Sequence, residues 1–248
     1  MSGRGFSESR DHRVLGGFIF IDAITGASIV DPLAVTGTNL RLRASNNGVY
    51  AIFDAPGFSD LTTQFNPTAA GWPTAQSFEI TIQDPSRRYL ARRAQVQAPR
   101  SLDGVFTTQP ISLYASPSAV LAPNWAVVRA SVKGSAGIGL PWAVLQVIRS
   151  DNSVAATGIT DARGEALLAV TGLGVQISAT ASGSVTERTI PVTVQAWFDP
   201  SVLQQPSGWI PNPDSILGNL SNVALRTEKQ NGALGAGQTL FAAIVISA

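Results

Sequence analysis

The stretch from Thr157 to Gly172 carries the clearest structural pattern in this sequence. Its sequence, TGITDARGEALLAVTG, places two apolar strands on either side of a short polar turn. Asp161 can accept hydrogen bonds from the backbone of its own turn, and Gly164 can supply the positive φ that closes the turn. The pattern therefore predicts a β-hairpin, and its residues suggest no chemistry beyond that.

A weaker copy of this pattern comes earlier in the chain, as LRLRASNNGVYAIFDAPG over residues 40–57. Leu and Arg alternate before the turn, which is typical of a strand with one solvent-exposed face. Asn47-Gly48 then predicts a tight turn with positive φ at both positions. Two copies of one design indicate an all-β chain that forms two tandem immunoglobulin-like β-sandwiches.

Apolar periodicity and the positions of the prolines divide the chain into five segments. We expect a flexible polar arm over 1–12, a first sandwich over 13–100, a linker over 101–110, a second sandwich over 111–198, and a Pro-rich tail over 199–248. The arm is either disordered or ordered only against a neighbouring subunit, and its sequence favours neither.

The tail ends in a clear strand, LFAAIVISA. This strand needs a sheet to join, either one of the chain's own sheets or the edge of a neighbour's sheet. We expect the chain's own sheet, because an unpaired edge is a liability for a free subunit.

The composition indicates a surface that is buried against protein partners. Charged residues make up 13% of the chain, whereas about 25% is typical. A neutral surface is poorly protected against self-association. We therefore expect a subunit of a larger assembly, as a homo-oligomer or a hetero-oligomer.

Several other partners and compartments are disfavoured by charge and hydropathy. The formal net charge is +1, which creates no field that would attract nucleic acid or an anionic membrane. The N-terminus is polar, and the longest apolar runs fall short of the roughly 20 residues that a membrane helix needs. We expect synthesis in the cytoplasm without a signal peptide and residence in a virion-like, extracellular or cytoplasmic particle.

Catalysis is also disfavoured by the residues present. The chain has no cysteine and a single histidine, His12, which lies in the arm. Triads and zinc sites draw on more of these residues. Most of the acids lie at turns, where capping explains them, and the glycine-rich stretches lack a phosphate-binding motif. We expect no enzyme, no cofactor, no metal and no small-molecule substrate.

The densest charge in the chain is a group of arginines between positions 87 and 100. A basic cluster can contact phosphate, but these residues lack interleaved aromatics and a recognition helix. We interpret them as a solvated or partner-facing strand.

Candidate partner-binding residues lie in the long loop 58–73, in the tail and in the terminal strand. Phe65 and Trp72 of the loop are either exposed anchors or, as we expect, a cover over the core. The candidates share large apolar side chains, and they are Phe65, Trp72, Trp209, Ile210, Leu240, Phe241 and Ile244. The structural turn residues are Asn47, Gly48, Asp161 and Gly164.

Both units resemble the carboxypeptidase regulatory-like or transthyretin-like β-sandwich superfamily. In the first, the resemblance lies in IDAITGASIVDPLAV and SNNGVYAIFDAPG. In the second it lies in GLPWAVLQVIRSDNSVAATGITDARGEALLAV. The resemblance implies the sandwich fold and says little about function. Hydroxyisourate hydrolases and intradiol dioxygenases use related sandwiches, but this chain lacks their histidine and tyrosine sites.

The layout of arm, two sandwiches and tail is similar to that of small accessory proteins of phage tail-like contractile injection systems. This resemblance implies a structural role in a particle, at its cap or baseplate, through sheet edges, loop and termini. The alternative is a surface adhesin or a carbohydrate-binding sandwich that uses Trp72 or Trp209 as a stacking platform.

Overall fold

The computed structural model describes residues 14–63, 72–101, 107–173, 177–179, 185–187 and 189–247. The predicted arm over 1–12 and Phe65 lie outside these residues. Within them, strands dominate and the helices are short, so the all-β prediction is confirmed.

The first sandwich packs two sheets of strands against each other. One sheet has the strand order β3-β4-β1-β7 and the other has the order β2-β5-β6. A short helix, α1 (Ser59–Thr63), follows the fourth strand. The strands are β1 (Gly16–Asp22), β2 (Ala34–Gly37), β3 (Arg41–Ala44), β4 (Val49–Asp54), β5 (Gln76–Gln83), β6 (Arg92–Ala98) and β7 (Thr108–Leu113).

Aromatic rings fill the centre of the first sandwich. Phe18 and Phe20 project from β1 to the same face, because alternate residues of a strand share a face. Their rings meet the Tyr50 ring at centroid distances of 5.5 and 5.1 Å. All three side chains are buried. Offset and edge-to-face contacts of this kind add to the stabilisation from burial alone.

The boundary between the two units differs from the prediction, which began the second sandwich at residue 111. Residues 108–113 form β7, which pairs in parallel with β1 of the first sandwich. Pro110, taken from the sequence as the end of a linker, lies inside this strand. β7 is at the edge of its sheet, where a residue without an N–H is tolerated.

The second sandwich repeats the arrangement with one large and one smaller sheet. Their strand orders are β10-β9-β14-β15 and β11-β8-β16, and β12 pairs with β13 separately. The strands are β8 (Ala126–Gly134), β9 (Val144–Arg149), β10 (Val154–Ile159), β11 (Glu165–Val170), β12 (Ile177–Ala179), β13 (Val185–Glu187), β14 (Ile190–Phe198), β15 (Arg226–Leu234) and β16 (Thr239–Ile246).

The two units share an uncommon pairing between their first and last strands. β1 lies between β4 and β7, with β7 parallel to it, and β8 lies between β11 and β16, with β16 parallel to it. One strand differs, since β3 joins the sheet of β4 whereas β10 joins the sheet of β9. The tandem design predicted from the sequence is therefore present.

The predicted tail is in part a component of the second sandwich. β15 pairs with β14 along nine residues, and β16 pairs with β8 along eight. The terminal strand thus joins the chain's own sheet, as expected. Treating 199–248 as a separate tail was wrong, because β15 and β16 belong to the sheets of the second sandwich and 199–225 is the connection from β14 to β15.

The turn from Asp161 to Gly164 forms as predicted, but the two strands beside it do not form a hairpin. Asp161 accepts hydrogen bonds from the N–H groups of Arg163 (2.8 Å) and Glu165 (3.0 Å). Gly164 has φ +81°, and a Cβ there would lie 2.5 Å from the Val132 carbonyl oxygen. However, β10 pairs with β9 and β11 pairs with β8. The turn therefore carries the chain from one sheet to the other.

The second predicted turn forms between β3 and β4 with one difference. Gly48 has φ +79°, and a Cβ there would lie 2.6 Å from the Ile29 carbonyl oxygen, so this position requires glycine. Asn47 keeps a negative φ, contrary to the prediction. Its side-chain oxygen instead accepts a hydrogen bond from the Ser45 hydroxyl, which stabilises the turn locally.

Candidate partner-binding surface

Trp72 covers the first core, as expected for this loop residue. Its ring packs against the buried cluster of the first sandwich. Its indole Nε1 donates a 2.7 Å hydrogen bond to the Arg100 carbonyl oxygen. Phe58 of the same loop is buried, and Phe65 lies outside the described residues.

Arg92 of β6 is a buried cation, in contrast to the solvated or partner-facing position predicted for the arginines. Its side chain is 1% exposed. The guanidinium donates to the Ser112 carbonyl oxygen (2.6 Å) and forms an ion pair with Asp214. A buried charge is tolerated only when it is paired and hydrogen-bonded, and these contacts meet that requirement.

Asp214 belongs to the connection between β14 and β15, here called the strap (residues 199–225). It begins α2 (Asp214–Leu217), a short helix within the strap. The strap also contains a 3₁₀ helix, Pro200–Gln204, whose first turn is capped by Asp199. The ion pair with Arg92 thus ties the strap to the first sandwich.

Arg93 makes a second set of contacts with the strap. Its Nε donates to the Ile210 carbonyl oxygen and its backbone N–H donates to the Pro211 carbonyl oxygen, both at 2.6 Å. Its guanidinium lies 4.9 Å from the centre of the Trp209 ring. Trp209 and Ile210, predicted to bind a partner, are therefore used to bind the chain's own first sandwich.

Apolar side chains of the strap complete the junction between the two sandwiches. Ile216 is buried there, in contact with residues of both units. The cluster contains Tyr114, Val144, Ile159, Trp197 and Ile216, with Ala23, Leu90, Ile148, Leu217, Leu220 and Leu225 packed against it. The strap thus joins the two sandwiches by an apolar contact as well as by an ion pair.

β16 separates the remaining candidates by face. Ile244 is buried and Leu240 packs against the second core, so neither is available to a partner. Phe241 is 72% exposed and Val245 is 56% exposed. Of the predicted partner-binding residues that the structure describes, Phe241 remains the most open. Val245 shares its face and was missed, because both faces of this strand are apolar in sequence.

The outward side chains of β8 extend this surface. The parallel register places Phe241 beside Arg129, Ala243 beside Ser131 and Val245 beside Lys133. We call these six residues the β16 face. The Arg129 guanidinium donates to the Pro117 carbonyl oxygen (3.0 Å). The Ser131 hydroxyl is buried and has no hydrogen-bond partner in the part of the chain that the structure describes.

On the other side of β8, the outward side chains of β11 are covered. Alternate residues of β11 face the second core: Ala166, Leu168 and Val170. Leu167 and Ala169 point to the opposite side of the sheet, yet they are buried as well. The outer surface of this sheet is therefore closed over β11 and open over β16.

Some edge groups of β6 and β16 are satisfied by the chain itself. At the free edge of β6, the Gln109 side chain donates to the Gln95 carbonyl oxygen (2.7 Å). The Arg93 N–H is taken by the strap. On β16, the Ala243 N–H donates to the Gln230 side chain (2.8 Å). These groups are not available to an added strand.

Turn acids are engaged in capping, as the sequence indicated. The Asp84 carboxylate accepts hydrogen bonds from the N–H groups of Ser86 (2.8 Å), Arg88 (2.8 Å) and Tyr89 (3.0 Å). Partial burial opposes the charged form, but these hydrogen bonds and that of the Ser86 hydroxyl prevail and lower the pKa of Asp84. Burial, followed by the hydrogen bond to Asp22, raises the pKa of Tyr89.

Among the described residues, no group of three or more His, Cys, Asp or Glu side chains is placed to hold a metal ion. The same part of the chain contains no helix long and apolar enough to span a membrane.

Comparisons with known proteins give little guidance. No protein-family model matches the chain, and no curated protein matches it. Among solved structures, the chain is similar to the Bacillus anthracis TIE protein, with 10% identity and a TM-score of 0.26. The match covers 98% of this chain and 42% of that protein. A likeness this weak carries no argument, so the superfamily resemblance and the role remain predictions from the sequence.

Proposed function

We propose that the protein is a non-enzymatic structural subunit that binds a neighbouring protein subunit through the β16 face. The observation that carries this proposal is the exposure of Phe241 and Val245 on a strand that is fully paired with β8. Phe241 and Val245 share one face of β16 with the exposed Ala243 between them, and a contiguous apolar patch marks an interaction site more often than scattered apolar residues do.

Burial of this face would supply a useful free energy of association. Fully burying a phenylalanine side chain contributes about 1.5–3 kcal/mol, and because Phe241 is 72% exposed, covering it contributes on the order of 2 kcal/mol. Arg129 and Lys133 flank the apolar column, so a partner with apolar side chains next to acidic ones would match the face.

The strap supports a structural role because it limits motion between the two sandwiches. The strap is bound to the first sandwich by Arg92 and Arg93, which contact Asp214 and Ile210. Ile216 of the strap belongs to an apolar cluster that contains residues of both units. A subunit that is already ordered loses less conformational entropy when it assembles.

The type of assembly is proposed from the layout and composition of the sequence. A phage tail-like particle or contractile injection system, with this chain as a cap or baseplate accessory, fits the low charge of the chain. The adhesin alternative gains no support from the tryptophans, since Trp72 packs on the core and Trp209 faces Arg93.

The test uses a tagged chain expressed from its own genomic locus, with particles isolated by sedimentation. We expect the wild-type chain to sediment with a large particle and the Phe241→Ser, Val245→Ser double variant to remain in the soluble fraction. The matched control is Val120→Ser, Val223→Ser, because both of these valines are also exposed.

A melting temperature equal to that of the wild type would show that the double variant is folded. Sedimentation of the double variant like the wild type would contradict the proposed surface. A wild-type chain that stays monomeric and binds glycans would contradict the structural role altogether.

A further inference from the structure

A polar groove lies between the two sandwiches. Its volume is about 540 Å³, which falls in the range of about 300–1,000 Å³ typical of small-molecule sites. Three segments line it: the turn between β5 and β6, residues 116–118, and the turn between β10 and β11. Tyr89 and Ser116, both buried, are among the lining residues.

The two carboxylates of the groove have their oxygens occupied by their own turns. Both oxygens of Asp84 accept hydrogen bonds from residues 86–89. Asp161 accepts through Oδ1 from the backbone of its turn and through Oδ2 from the Arg163 side chain. The acceptors of the groove are therefore largely engaged.

The hydrogen-bond donors of the groove are less engaged. Arg163 is exposed, and its Nε and Nη2 contact Asp161 at 3.0 Å; its other guanidinium hydrogens have no acceptor among the described residues. The Arg87 side chain is exposed and forms no hydrogen bond or ion pair among the residues that the structure describes.

A serine hydroxyl adds one more donor. Ser116 Oγ and Ser118 Oγ are 2.8 Å apart, and Ser116 Oγ also accepts from the Ser118 N–H. Whichever hydroxyl donates within this pair, the other keeps a hydrogen with no acceptor in the described part of the chain. These unused donors favour a ligand that supplies acceptors.

Arg87 also has an unfavourable backbone conformation. Its φ is +60°, in the left-handed region where glycine or asparagine costs least. The local turn does not require a long cationic side chain at this position. Residues that break a local rule in this way occur preferentially at functional sites.

We propose that this groove binds the oxyanion group of a small molecule, a carboxylate or a phosphate. Arg87 and Arg163 contact the oxyanion from turns of the two different sandwiches, and the free serine hydroxyl donates to it. A guanidinium presents two parallel N–H groups to such an oxyanion. The site goes beyond the proposed structural role and does not depend on it.

The experiment is a calorimetric titration of the whole chain with inorganic phosphate and, separately, with glucuronate. We expect saturable binding of at least one probe. Removing a charge-assisted hydrogen bond to the probe should weaken binding of that probe about tenfold or more. The variants are Arg87→Gly and Arg163→Gln. The control is Arg43→Gln, since Arg43 is exposed on β3, outside the groove.

Arg87→Gly also separates binding from folding, because glycine relieves the positive φ and should not lower the melting temperature. Binding of phosphate alone would assign a phosphate ligand, and binding of glucuronate alone would assign a carboxylate. The proposal is overturned if neither probe binds saturably at millimolar concentrations, or if Arg87→Gly and Arg163→Gln bind as tightly as Arg43→Gln.

Discussion

The strap and the β16 face both present large aromatic residues from the C-terminal fifth of the chain, but only one of them is covered. The Trp209 ring in the strap faces the Arg93 guanidinium of the first sandwich. The Phe241 ring on β16 is mostly exposed. An exposed-looking aromatic residue in the sequence can therefore be bound within the chain itself, and only Phe241, which the chain leaves uncovered, remains for a neighbouring subunit.

Deletion of residues 226–248 should give the largest effect. It removes β15 and β16, and with them the pairing to β14 and β8 and the burial of Ile244 and Leu234. The loss exceeds the stability of an ordinary domain, about 5–15 kcal/mol, so the second sandwich should not fold. Urea unfolding followed by circular dichroism should show the strand signal of the first sandwich alone. If the deleted chain still showed separate unfolding of both sandwiches, residues 226–248 would be a separable tail after all.

Asp214→Ala should give the next largest effect, because it leaves the buried guanidinium of Arg92 without its counter-ion. Breaking a buried pair costs about 3–5 kcal/mol. Asp214 is 54% exposed, so solvent reduces the cost, and we expect about 2–3 kcal/mol from urea unfolding. Glu79→Ala is the control, since its pair with Arg93 is more exposed and should cost at most about 1 kcal/mol. Equal costs would mean that the strap is not held by the buried pair.

A matched pair of substitutions compares the two aromatics directly. Trp209→Ser should lower the free energy of unfolding by about 1–2 kcal/mol, because it removes the cation–π contact with Arg93 and some apolar burial. Phe241→Ser should change it by at most about 0.5 kcal/mol, since an exposed side chain has little packing to lose. Thermal unfolding of the isolated chain measures both. A larger cost for Phe241→Ser would mean that the β16 face is covered within the chain.

Lowering the pH should reduce the stability contributed by the Asp84 turn and leave the contribution of Phe241 unchanged. The folded-state pKa of Asp84 lies below its ordinary value of 3.8, so its contribution to stability is complete above that value. The contribution is lost as the pH falls through the lower folded-state pKa. The stability difference between wild type and Asp84→Asn should therefore shrink below about pH 4. The difference between wild type and Phe241→Ser should stay constant over the same pH range.

Local sequence chemistry predicted the turns well and the strand partners poorly. Asp161 and Gly164 close their turn because carboxylate capping and positive φ depend on a few adjacent residues. The flanking strands join different sheets, which depends on residues far along the chain. The all-β class and the tandem design could also be predicted from local patterns, because short strands bounded by turns recur along the chain.

The candidate surface was only partly predictable. Phe241 was named from its apolar side chain, but LFAAIVISA is apolar on both faces, so alternation could not show that Ile244 points inward. The pairing of Arg92 with Asp214 joins residues 122 positions apart and leaves no local signal. The adjacent arginines at 92 and 93 did indicate that one of them is buried, because neighbouring residues of a strand point to opposite faces of the sheet.

The parallel pairing of first and last strands has a mechanical consequence. Because β7 runs in the direction of β1, the chain enters the first sandwich at one end and leaves it at the other. The same holds for β8 and β16 in the second sandwich. Tension applied across either unit would load the hydrogen bonds of the parallel pair together, in shear, instead of opening them one at a time. The second unit, with eight paired positions against six, would be the stronger link.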